Sequence, residues 1–267
     1  MSPSASAPTP ATPKRALITA ITSGKGGVGK TFVAANLAAA LAARGQRVLV
    51  LDADLGLANL DVVLNLAPKV TLHDVFTGTH TLEQALTEVS SGFSVLLAGS
   101  GLVEYSRLTP EVRDKLVETI NAVAPRFDRV LLDTGAGISD VVLYTVSLAD
   151  EVVIVTTPEP TSMTDAYATI KVLAATQGRR AVRLVVNQVP AGTDARTVCG
   201  QLQQVIDRYV SPGLDAPLKL DLVGEVPSDA AVRDAVRRRQ LLHEAFPGSG
   251  AARAMTALAA RLAPDVG

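Results

Sequence analysis

The chain contains no tryptophan, five phenylalanines, four tyrosines and one cysteine in 267 residues. One cysteine cannot close an internal disulfide, so the composition suits a reducing cytoplasm and not a disulfide-stapled secreted fold. Neither sign of charge prevails. Lys and Arg number 25 against 26 Asp and Glu, for a formal net charge of −1. Such a chain exerts no whole-molecule pull on nucleic acid or anionic membrane, and any binding of that kind must come from a local patch. Long apolar runs are missing as well. The longest stretch free of charge, 89–103, is broken by glycines and serines and falls short of the roughly 20 apolar residues that a spanning helix needs. Residues 1–15 carry no apolar block ahead of their basic pair, which argues against a secretory signal. The expectation is a cytoplasmic protein, at most peripheral at the inner face of a membrane.

The mean hydropathy is nonetheless positive, +0.28. An interior rich in Val, Leu and Ala but poor in aromatics suits a parallel sheet covered by helices on both faces. Residues 1–14 are Pro, Ser, Ala and Thr with little else, and read as a disordered tail. From there to residue 267 the pattern reads as a single domain. Short apolar runs at 16–22, 47–52, 93–98, 127–133, 151–156, 182–187 and 218–224 alternate with helical patterns at 30–44, 59–65, 81–88, 109–124, 138–149, 161–177, 194–209, 228–238 and 249–262. Thr109-Pro110 is a helix start, and Gly45 and Gly178 stand where helices should stop. Strand–helix alternation throughout predicts an α/β doubly wound fold with a mostly parallel sheet.

Residues 16–44 read strand, glycine-rich turn, helix. Gly24, four residues, then Gly29-Lys30-Thr31 complete a phosphate-loop pattern. Glycines let backbone N–H groups turn inward around phosphates, and the next helix aims its unpaired N–H groups at the same anion. Lys30 is then expected to reach the β and γ phosphates, and the Thr31 hydroxyl to ligate Mg²⁺. Two predicted strands end in aspartate: RVLVLD at Asp52, with Asp54 two residues on, and DRVLLD at Asp133. In an open α/β sheet ligands bind outside the carboxyl ends of the strands, so all three carboxylates are candidates to converge on the nucleotide.

Lys25 is a second lysine inside the loop, which the general pattern does not need. The run Lys25-Gly26-Gly27-Val28-Gly29-Lys30-Thr31 resembles, residue for residue, the deviant phosphate loop of the MinD/ParA-type ATPases. The resemblance implies a SIMIBI-like P-loop fold. It implies ATP held by Gly24 to Thr31 with Phe32, and a Lys25 that crosses a dimer interface to the partner's nucleotide. LDADLGLANLDVVL (51–64) resembles the family's segment after its second strand. By that match Asp52 lies near Mg²⁺ and Asp54 positions the attacking water. LLDTGAGIS (131–139) resembles its second acidic strand and switch loop, with Asp133 binding Mg²⁺ through water and Gly135 and Gly137 free to move. The family usually has Ala or Pro where Gly135 stands. Asn187 matches the position that reads the adenine edge, and is otherwise a turn residue.

Within the family, iron–sulfur relatives need at least two cysteines per subunit, and Cys199 stands alone. A DNA-coating partition ATPase fits poorly with a net charge of −1, and no direct nucleic-acid contact is expected. The segments 65–78, 157–173 and 225–255 resemble the FlhG (FleN/YlxH) regulators of flagellar number more than MinD. That resemblance implies an ATP-dependent homodimer, and as partners an FlhF-like GTPase, flagellar switch (C-ring) proteins and a flagellar transcription activator. Residues 1–15 lack the DQAxxLR-like motif that stimulates such a GTPase. The helix at 249–262 has two readings: a membrane-facing element presenting Met255, Leu258 and Leu262, or a last helix packed on the body. Arg233, Arg237, Arg238 and Arg239 are either a solvated face or a docking surface for an acidic partner. The function expected is slow, regulatory ATP hydrolysis. Its rivals are a division-site regulator of MinD type and an adaptor that works by nucleotide occupancy alone.

Overall fold

The computed structural model describes residues 15–56, 58–99 and 108–263. The expected tail at 1–14 lies outside them. Eight strands form one sheet in the order β3-β4-β2-β5-β1-β6-β7-β8. They are β1 (Leu17–Ser23), β2 (Val48–Ala53), β3 (Leu86–Glu88), β4 (Ser94–Leu96), β5 (Arg129–Ala136), β6 (Glu151–Thr156), β7 (Ala181–Val189) and β8 (Lys219–Pro227). Among the described residues only the β3–β4 pairing is antiparallel.

The central strands are continuous apolar runs because both faces are covered. Ile18 and Ala20 of β1 face one core layer while Ile21 faces the other. Leu49 and Leu51 of β2 alternate with Val48 and Val50 in the same way. On one face lie α5 (Pro110–Val123), α6 (Asp140–Ser147), α7 (Pro160–Gln177) and α8 (Ala195–Tyr209); on the other lie α1 (Lys30–Ala42) and α11 (Gly250–Leu262). α1 is alanine-rich because it is buried all round, between the sheet and α11. The signals at 109–110 and Gly178 hold: the Thr109 hydroxyl accepts from the Val112 N–H, and Gly178 ends α7 in the left-handed conformation.

Shorter helices complete the fold: α2 (Leu60–Leu64), α3 (Leu72–Phe76), α4 (Leu82–Ala85), α9 (Ala230–Arg238) and α10 (Leu242–Ala245). The helix expected over 81–88 is cut short. Leu86 to Glu88 leave α4 to pair with β4 as an edge strand.

Of the two readings of the last helix, the structure shows the packed one. Met255, Leu258 and Leu262 are all buried in the core with α1. The membrane-facing reading is corrected, since the apolar face that lipid would need is already covered by protein. Gly224 of β8 makes this possible, because a Cβ there would lie 2.9 Å from the Leu258 side chain. Two guanidinium groups close the helix: Arg129 donates to the Leu262 carbonyl (2.8 Å) and Arg44 to that of Ala263 (3.2 Å). At the other end Asp229 serves two helices. One carboxylate oxygen accepts from the Ala231 N–H of α9 (2.9 Å) and the other from the Ala251 N–H of α11 (3.2 Å). Those backbone N–H groups hold its pKa below the ordinary carboxylate value, against a smaller upward push from burial. Among the described residues no helix is long and apolar enough to cross a membrane.

Candidate active site: a phosphate cradle above two buried carboxylates

β1 ends at Ser23 and α1 begins at Lys30. The loop between them is built from glycines for two reasons. Gly27 and Gly29 take φ of 80° and 90°, which side chains with a Cβ rarely adopt. Gly24 instead runs against α7, where a Cβ would collide with the Asp165 carbonyl. The loop borders an open cavity of about 740 Å³ whose lining includes Gly26, Gly27, Gly29, Lys30, Thr31 and Phe32.

The three aspartates come together because β2, β5 and β1 are neighbours, with β5 between the other two. Asp52 and Asp133 are direct partners in the parallel β2–β5 register. Both are almost fully buried and neither lines the cavity, which Asp54 lines beside Gly135 and Ser139. Burial pushes Asp52 well above the ordinary carboxylate range, and the Asp133 charge opposite adds to it. Burial likewise lifts Asp133, to about 6, although a hydrogen bond from Thr31 and the charge of Lys30 pull it back. The Asp54 N–H donates to Asp52 Oδ1 at 3.3 Å.

These residues fit Mg²⁺. Asp52 Oδ2 and Asp133 Oδ1 are buried oxygens with no hydrogen-bond partner, the condition that a bound cation relieves. Among the described residues no three His, Cys, Asp or Glu side chains form a ready cage. Mg²⁺ at phosphates needs none, because one or two carboxylates, a hydroxyl, waters and phosphate oxygens complete its shell. Thr31, Asp52 and Asp133 are therefore the residues that would hold it.

The family comparison agrees with this geometry. A family model described as ParA, "NUBPL iron-transfer P-loop NTPase", matches residues 15–263. The chain belongs to the MinD/ParA family of P-loop NTPases. The antiactivator FleN of Pseudomonas aeruginosa is 41% identical over 92% of this chain and 85% of its own length. The flagellum site-determining protein YlxH of Helicobacter pylori is 34% identical over 85% of this chain and 75% of its own length. Among solved structures, the septum site-determining protein MinD from Pyrococcus horikoshii, complexed with Mg-ADP, is similar with a TM-score of 0.74. It is 29% identical and spans 93% of this chain and 96% of its own. As a MinD/ParA-family member the chain is an ATPase whose cofactors are ATP and Mg²⁺.

Two expected site residues sit where the sequence alone did not put them. Lys25, expected to work in a dimer, does not line its own cavity. Its ammonium donates to Thr161 Oγ1 (3.0 Å) and pairs with Glu159 (3.4 Å), at the start of α7. Asn187, expected at the adenine edge, is buried against the loop and donates to the Val28 carbonyl at 2.8 Å. Other contributors carried no recognisable sequence signal. Val63 of α2, Val142 of α6 and Val236 of α9 line the cavity from helices remote in sequence. Arg233, Arg237, Arg238 and Arg239 lie on α9 and just after it, all exposed.

Proposed function

We propose that this MinD/ParA-family member is a slow ATPase switch that dimerises on ATP and limits flagellar number and placement. The observation that carries the switch is Lys25. It belongs to a complete deviant loop, yet does not line its own cavity and instead makes an exposed ion pair with Glu159. Val236, which lines the cavity, and Val62 and Ile138, each next in sequence to a lining residue, are about half exposed, the kind of apolar surface a second subunit covers. ATP would draw two copies face to face, each Lys25 completing the other's site.

The chain's own groups divide the work. Loop amides and Lys30 hold the phosphates in line; Asp54 orients the attacking water; Asp52, Asp133 and Thr31 hold the cation. Bound Mg²⁺ supplies charge neutralisation on the phosphate oxygens. Catalysis of this kind is positioning and electrostatics, with little covalent work for the protein. The flagellar reading is supported by the likeness to FleN and YlxH across most of the chain. FlhF-like GTPases, C-ring proteins and a flagellar transcription activator are the partner classes to test.

The switch is tested by Asp54→Ala. The variant should keep MgATP binding, lose about 100-fold in hydrolysis and accumulate as an ATP-bound dimer by light scattering. A variant that stays monomeric with ATP rejects the switch. For the biological role, a deletion strain should show a changed flagellar count by electron microscopy, restored by wild type and not by Asp54→Ala. Normal flagella with displaced division septa would transfer the protein to the MinD-type role.

A further inference from the structure

Phosphate loops turn their N–H groups inward, so their carbonyls face outward and need partners. The Gly29 carbonyl accepts from the Val33 N–H as α1 begins (2.9 Å), and three others have side-chain donors. Ser23 Oγ, from within the same turn, donates to the Lys25 carbonyl at 2.8 Å. The other two donors come from one dipeptide far away in sequence. Asn187 Nδ2 donates to the Val28 carbonyl at 2.8 Å, and Gln188 Nε2 to the Gly27 carbonyl at 3.4 Å.

Consecutive residues of a regular strand point to opposite faces of a sheet, so two neighbours do not reach the same loop. Here the alternation is broken. Gln188 has φ of 56°, and the β7–β8 register slips between Val186 and Val189. Among the described residues only Asn65 and Arg239 share a positive φ without being glycine, and each of those ends a helix, where this conformation is ordinary. Gln188 has no such excuse. A strained residue of this kind persists when its surroundings over-determine it, and two contacts do so here. Its own N–H donates to Asn187 Oδ1 (2.9 Å), and its side chain reaches Gly27. The fit is close enough that a Cβ on Gly29 would lie 2.5 Å from Asn187 Nδ2.

We propose that Gln188 is a positioning residue for the phosphate loop. Its left-handed turn swings Asn187 and Gln188 to the same side, and together they pin the Gly27 and Val28 carbonyls outward. The intervening amides are thereby held toward the phosphates before nucleotide arrives. Gln188 touches neither phosphate nor metal, so it acts through the loop. The inference rests on the reading of this loop as the triphosphate site, and the Lys30→Ala variant checks that reading separately.

The test is Gln188→Gly, which keeps the left-handed backbone without strain and removes only the side chain. Calorimetric titration with MgADP should show affinity reduced about 5- to 10-fold, while the thermal midpoint of the nucleotide-free protein stays level or rises. A merely structural residue would move the two together. Unchanged MgADP affinity overturns the proposal, and so does a loss of affinity accompanied by a lower midpoint. Gln188→Glu, which sets a carboxylate against the Gly27 carbonyl, should weaken MgADP more than Gln188→Gly does. Lys30→Ala run alongside should abolish binding. If it does not, the phosphate-loop reading itself has failed, whatever the Gln188 variants show.

Discussion

Lys25→Ala should lower ATP hydrolysis about a thousandfold, the scale of a cation supplied in trans at a phosphoryl-transfer site, and leave MgATP binding nearly intact. The separation follows from geometry. Lys30, Thr31 and the loop amides line the phosphate cavity, so affinity stays with them. Lys25 rests on Glu159 and Thr161 and does not line it. Its ion pair is exposed on both partners, and such pairs hold by only about 0–1 kcal/mol, so a neighbouring subunit's phosphates can draw the lysine off. The decisive measurement is a mixture. Lys25→Ala and Asp54→Ala proteins should each hydrolyse ATP only at a strongly reduced rate alone. A mixed dimer contains one site with an intact Asp54 that receives an intact Lys25 from the other subunit. Phosphate release should reappear on mixing. No recovery, in a mixture shown to form heterodimers, would place Lys25's action in its own subunit.

The second large effect sets stability against activity. Asp133→Asn should abolish Mg²⁺-dependent hydrolysis and yet make the nucleotide-free protein more stable at pH 7.5. Asp133 has a folded pKa of about 6 because it is buried, with Asp54 a further unfavourable charge. Asp52 is shifted in the same direction. A raised carboxylate pKa means the folded state binds the proton more tightly than the unfolded state. The stabilising effect of protonation is then complete at low pH and is lost as pH rises through about 6. Above that the charge stays as a penalty, about 1.4 kcal/mol for each unit by which the pKa is raised. Chemical denaturation of the nucleotide-free wild type should therefore show this contribution declining between the ordinary value of 3.8 and about 6, and level above that. Asn at position 133 removes it, with a gain of about 1–3 kcal/mol at pH 7.5. Adding MgATP should reverse the order, because wild type gains stability by binding and the variant gains less. A variant less stable than wild type at pH 7.5 without nucleotide would show that the buried pair is not a source of strain.

The parts of this site that one stretch of chain encodes were readable in advance. The loop from Gly24 to Thr31 needs only local spacing, and Asp52 and Asp133 announce themselves by ending apolar strands. Their face-to-face register was not readable, because it depends on β5 inserting between β1 and β2. The failure at 81–88 has the same origin. Leu86 to Glu88 carry no strong strand preference and become a strand because β4 offers an open edge. α3 and α10 span five and four residues, too few for a helical period to show. Gln188 was invisible for another reason. Its significance is a left-handed torsion, and an Asn-Gln pair at a strand end does not advertise one. For the last helix, leucines on one face look alike whether lipid or protein covers them; only Gly224 under Leu258 marks the packed alternative.

The shared cap at Asp229 bears on what mutation can accept. Two helices begin on the two oxygens of one short side chain. Asparagine keeps one acceptor, serine has a single oxygen, and glutamate carries its pair a carbon too far away. In a saturation library the position should thus tolerate a far narrower alphabet than its solvent exposure suggests, and a neutral drift that loosens α9 beside the nucleotide would loosen the carboxyl-terminal helix in the same step.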